Sequence, residues 1–174
     1  MLILKIDLPI FIYIYKQIND MRKKVSLFIV LFFIILGTKI SAQTFTLEQL
    51  AAFNKLEMSD FKKEMKKLNY SFYDRTEGLG FVLNEYDAPD YKSKIGKFVF
   101  AEEKSGDRIE YEFSSKKEYD QYVKIILASG YKETEKGKTI TKETYIDYYK
   151  NKEHIRLVTP KAGVNNPYTI LVFK

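Results

Sequence analysis

Apolar residues recur at helical spacing in three places along the chain, and at every second position in the stretches between them. Thr46 and Gln49 stand where a capping box would, so a first short helix is predicted from 47 to about 53. Ser59 precedes a second, with Asp60 in its first turn and Phe61, Met65 and Leu68 on one face; Lys62, Lys63, Lys66 and Lys67 fill the solvated faces. From Tyr70 the period drops to two. Strands are expected at 70–75, 80–86, 96–102 and 108–114, the last with Ile109, Tyr111 and Phe113 on one side and Arg108, Glu110 and Glu112 on the other. Ser115 and Glu118 form a second capping-box signature, followed by Tyr119, Tyr122, Val123, Ile126 and Leu127 with helical spacing and by Gly130 as a stop. Strands return at 138–149, 153–159 and 168–174, with Asn151-Lys152 as a turn between the first two.

The order of elements repeats. A shift of 61 sets Phe61 on Tyr122, Met65 on Ile126, Asn69 on Gly130 and Tyr70 on Tyr131; a shift of about 60 sets Tyr111 on Leu171 and Phe113 on Phe173. The expected fold class is α+β, with two α-β-β-β(-β) repeats (about 58–114 and 115–174) forming one antiparallel sheet with helices packed on one face. The other face then looks to water or to a partner. This order, with the Asn69-Tyr70 and Gly130-Tyr131 pairs, resembles the tandem architecture of β-lactamase inhibitor proteins and of small exported lipoproteins that share it. It is also similar to that of uncharacterised small exported bacterial proteins with a helix, Gly/Asn-Tyr and a strand meander. The resemblance covers most of 58–174 and implies a fold, not an activity.

Residues 21–42 read differently. Met21-Arg22-Lys23-Lys24 is a basic start, Val25 to Gly37 is an apolar run, and Ser41-Ala42 offers a cleavage point before Gln43. That is the layout of a secretory signal peptide. The alternative is an uncleaved anchor, which would be the chain's only membrane contact. Met21 sits where such a peptide begins, so residues 1–20 are expected to be a start-site extension, with Met1 the other candidate start. The working domain is 43–174, exported to the periplasm or secreted.

Charge then loses much of its meaning. The chain has 29 Lys+Arg and 23 Asp+Glu. Six of the basic residues and two of the acidic ones lie in the first 42, which leaves 23 against 21 in the domain and no case for a nucleic-acid partner. The absence of cysteine excludes disulfides, thiol nucleophiles and cysteine-bound metal, and no cofactor is implied. Tyrosine richness follows AT-rich codon usage and strand propensity as well as it would follow a stacking surface.

The chemistry that remains is sparse. Gly78-Leu79-Gly80-Phe81 matches the GLGF carboxylate-binding loop of PDZ domains, in which Leu79, Gly80 and Phe81 would supply amides and 81–83 would pair with a peptide C-terminus; Gly106-Asp107-Arg108-Ile109 extends the match. The plainer reading is a hairpin turn. Glu110 and Glu112, roughly 7 Å apart by strand rise, would suit a small hydrolase acting on envelope polymers. The third candidate rests on facing. If Ile146, Tyr148, Ile155 and Leu157 point to the helices, then Tyr145, Tyr149, His154 and Arg156 gather on the open face, and Tyr and Arg are the types that dominate protein–protein hot spots. The expected function is an exported binding module with an envelope or extracellular protein partner and no catalytic or metal-ligating residues.

Overall fold

Thr46 caps the first helix as its sequence demands. Its hydroxyl accepts from the Gln49 amide at 3.2 Å, and the Gln49 side chain accepts from the Thr46 amide at 2.8 Å. The computed structural model describes residues 44–174, together with Met21. Apart from Met21, the expected signal peptide, its expected cleavage point at Ala42–Gln43 and the expected start-site extension lie outside the described residues. Helix α1 spans Leu47–Lys55, α2 Met58–Lys67 and α3 Lys116–Ala128. Among the described residues no helix is long and apolar enough to cross a membrane. The strands are β1 Ser71–Gly78, β2 Phe81–Asp87, β3 Ser93–Phe100, β4 Arg108–Phe113, β5 Lys132–Lys138, β6 Thr144–Lys150, β7 Glu153–Thr159 and β8 Tyr168–Phe173.

The strands form one antiparallel sheet of eight in the order β1-β2-β3-β4-β8-β7-β6-β5. Register fixes the faces. Ile95 lies opposite Tyr111, Tyr111 opposite Ile170, and Leu157 opposite Ile170; all of them are buried in one cluster with Leu50 of α1, Phe61 and Met65 of α2 and Tyr122 and Ile126 of α3. The fold is therefore α+β, with residues of the three described helices packed on one side of the sheet.

Two local devices recur at the same interval. Asn69 and Gly130 both take positive φ, 60° and 86°, just past a helix end. The following amide reaches back to close each helix, Tyr70 to Met65 O and Tyr131 to Ile126 O, the six-to-one bond of a Schellman cap. Beyond each cap the outer strand carries an irregularity, between Phe72 and Asp74 in β1 and between Glu133 and Glu135 in β5.

Several expectations need correction. The second helix starts at Met58, not after Ser59, and its N-cap Glu57 makes no side-chain capping bond. Ser115 accepts from the Glu118 amide, but half of the second capping box is missing: the Glu118 side chain turns inward instead, towards Tyr111 and Thr44. The strand expected at 138–149 holds only the last residue of β5, then a turn over 139–143 and most of β6. Thr139 Oγ1 accepts from the Glu143 amide at 3.0 Å, Lys142 takes φ 67°, and Ile140, which reads as a strand position, is a fully exposed turn tip. The shift of 60 fails in the last strand. Tyr111 and Phe113 face the helices, whereas Leu171 and Phe173, opposite Glu110 and Arg108, face the other way. A one-residue slip flips every side chain of a strand.

Lys97 holds an inward position on β3 and is buried. Its ammonium donates to Phe53 O at 3.1 Å and to Asn54 O at 2.8 Å, closing the C-terminal end of α1 where carbonyls lack helical partners.

Candidate functional site

On the face away from the helices, β6 and β7 pair Tyr145 with Val158, Asp147 with Arg156 and Tyr149 with His154. Strand alternation thus brings Tyr145, Tyr149, His154 and Arg156 onto one face around Asp147. Asp147, which was not among the expected site residues, is the hub. It is only 3 % exposed. Its Oδ1 accepts from Arg156 Nε at 2.7 Å and meets His154 Nε2 at 3.0 Å, and its Oδ2 accepts from Arg156 NH2 at 2.8 Å. Burial pushes this carboxyl up, but the bonds from Arg156 and His154 and their charge outweigh it and hold the pKa below the usual 3.8. The same bidentate contact raises the pKa of Arg156.

Tyr145 and Tyr149 flank this hub without touching each other's partners. The Arg156 guanidinium lies 3.9 Å over the Tyr145 ring, and the Tyr145 hydroxyl donates to Glu135 at 2.8 Å. On the other side the His154 ring is stacked between Tyr149 (4.3 Å, 4°) and Phe173 (4.1 Å, 9°). Phe173 is directly opposite Arg108, whose guanidinium lies 3.9 Å over Phe98, and Phe98 packs on Phe81 at 5.4 Å. One row of planar groups therefore crosses six strands: Tyr149, His154, Phe173, Arg108, Phe98 and Phe81. Phe173, Arg108 and Phe98 were not among the expected residues of this face, and Phe81 was expected only as an amide donor of the GLGF loop. Their signal was present, because each falls on the open-face parity of its strand, but a row across strands is visible only once the strand order is known.

The other sequence candidates separate. Gly78 pairs with Phe81 across a two-residue Leu79-Gly80 turn, with Gly80 at φ 83°, so GLGF is the tip of a hairpin. Phe81–Leu83 is hydrogen-bonded to β1 on one side and β3 on the other, which leaves no free edge there for a peptide strand. Gly106 belongs to a short 3-10 turn before β4. Glu110 and Glu112 do share the open face. Arg108 Nε donates to Glu110 at 2.7 Å, while burial raises the pKa of Glu112, opposed by Lys94 and reinforced by Glu110 and Glu85. Among the described residues no group of three or more His, Asp or Glu is placed to hold a metal. A cavity of about 510 Å³ between residues 44–48 and α3 lies apart from all of these groups.

Comparison with family models, with curated proteins and with solved structures finds no match to this chain.

Proposed function

We propose that the chain is an exported binding module of the bacterial envelope or exterior, which engages a protein partner through the open face of its sheet. The carrying observation is the row from Tyr149 to Phe81 with the Asp147 hub beside it. The His154 ring has both faces covered, by Tyr149 and by Phe173 at 4.1–4.3 Å, so it offers only its edge to solvent. Ring edges and cation heads held in fixed positions suit a protein surface. Tyr149 remains 41 % exposed, and Arg156 is locked by Asp147 before any partner arrives, which lowers the ordering cost of association.

The domain is read as two α-β-β-β-β units, α2 with β1–β4 and α3 with β5–β8. The matching caps at Asn69 and Gly130, the matching irregularities in β1 and β5 and the mirrored strand order support this reading. The basic start and apolar run of 21–42 support export, with a mature terminus at Gln43. A hydrolase using Glu110 and Glu112 is the alternative. Arg108 already engages Glu110, which weakens that reading.

The test is capture by the tagged full-length protein from envelope extract, with Tyr149→Ala and Arg156→Ala run in parallel. A stoichiometric protein partner lost in both variants is expected. A partner retained by both, or cleavage of envelope glycan that depends on Glu112, would overturn the sheet-face reading.

A further inference from the structure

On the helix side of the sheet, away from the row just described, the first turn of α2 overhangs the β1–β2 hairpin and leaves a cavity of about 340 Å³. Its floor is Asn84 and Tyr86, neighbours on one face of β2. They are 6 % and 3 % exposed; the Tyr86 hydroxyl has the Asn84 side chain as its polar neighbour, and Asn84 Oδ1 has no hydrogen-bond partner. A buried acceptor left without a donor costs stability. The corresponding position on β6 is Ile146, opposite Lys136 as Asn84 is opposite Arg75, so an apolar residue is accommodated there in the same kind of hairpin.

The mouth of the cavity carries one unmatched cation. Lys62 is exposed and has no ion-pair partner among the described residues, so it carries the unmatched charge; Arg75 stands across from it, held by Glu77 through both Nε and a terminal guanidinium nitrogen. The Asp60 and Phe61 amides return to Glu57 O, and Glu57 supplies no side-chain cap, which leaves the Met58 and Ser59 amides as the unpaired donors of the first turn. The positive end of the helix dipole points the same way.

We infer that this cavity binds a small organic anion. Its carboxylate or phosphate group sits at the start of α2 between Lys62 and Arg75, and a hydroxyl or amide on the same molecule reaches Asn84 and Tyr86. The two ends of the cavity ask for different chemistry, negative charge at the mouth and combined donor–acceptor character at the floor. A volume of this size admits a molecule of metabolite dimensions and excludes a folded partner.

The test is an amide-resolved NMR titration of the full-length protein with inorganic phosphate, glycolate and malate. Saturable shifts at Met58, Ser59 and Lys62 and at the Asn84 side-chain amide are expected, with malate binding more tightly than phosphate because it reaches the floor. Lys62→Gln is expected to weaken malate at least severalfold. Asn84→Ile is expected to weaken it by about tenfold or more while raising the melting temperature, because the orphaned amide is gone. Shifts that never saturate, shifts spread over the lysines of α2, or malate affinity unchanged in both variants would overturn the assignment. So would an Asn84→Ile protein that melts lower and binds as before, since Asn84 would then be a structural group.

Discussion

Lys97 allows a signed prediction. It is 2 % exposed, and its ammonium bonds only to the carbonyls of Phe53 and Asn54. Burial lowers its pKa from 10.5 to about 8, with Asp107 and Glu57 opposing the shift and Lys174 adding to it. A neutral amine keeps two N–H donors for those two carbonyls, so loss of the proton need not open the end of α1. Between about pH 8 and 10.5 the unfolded chain holds the proton and the folded chain does not. Stability contributed by this group therefore rises with pH across that window. The whole shift corresponds to about 3 kcal/mol, of which about 1 kcal/mol develops between pH 7 and pH 9. Above pH 10 the sign reverses. Burial raises the pKa values of Tyr111, Tyr122 and Tyr148, so the unfolded chain ionises first there. The assay is urea unfolding of the full-length protein and of Lys97→Met at pH 7, 8 and 9. The tyrosine contribution is common to both proteins and cancels in their difference. The wild type should gain about 1 kcal/mol on the variant across this range. Parallel pH profiles would refute the reasoning, because they would mean that Lys97 titrates alike in both states.

Two further outcomes follow from the open face. Asp147→Asn removes the charge that Arg156 and His154 share and should destabilise the fold by about 2 kcal/mol at neutral pH. Because the Asp147 pKa is depressed, its contribution is complete above 3.8 and is lost as pH falls from there through the folded value; acid unfolding of the variant should be correspondingly shallower below that pH. Gly137→Ala would put a methyl 2.5 Å from the Tyr145 hydroxyl and displace that ring from both Glu135 and Arg156. A stability loss near 1 kcal/mol, read by thermal melts, should accompany severalfold weaker capture of the partner, without any change to the interface residues themselves.

The punctuation of this fold was legible in the sequence. Thr46, Asn69, Gly130, the Leu79-Gly80 turn and the Asn151-Lys152 turn act through bonds within a few residues, and local chemistry suffices to place them. Strand β5 was not legible. Lys132–Lys138 lies at the sheet edge with nearly every residue exposed, so no apolar alternation announces it. Lys97 and Asn84 were missed for the opposite reason: polar residues at inward positions read as surface, although the burial of each is what gives it interest. The site was half legible. Period-two parity put Tyr145, Tyr149, His154 and Arg156 on one face, but the neighbours Phe173, Arg108 and Phe98 depend on β8 lying beside β4, a long-range pairing that no local pattern encodes.

That pairing has a consequence for how the chain comes into being. The last of these eight strands to be made, β8, is inserted at the middle of the sheet between β4 and β7. A nascent chain lacking it has an unpaired β4 and a meander from β5 to β7 with no seam to join. Closing that seam brings together segments as far apart as Arg108 and Phe173, a slow event compared with forming either hairpin. The domain therefore stays open until synthesis has passed Phe173. A polypeptide that must be threaded through a translocation pore before it folds would have this order of assembly built into its topology.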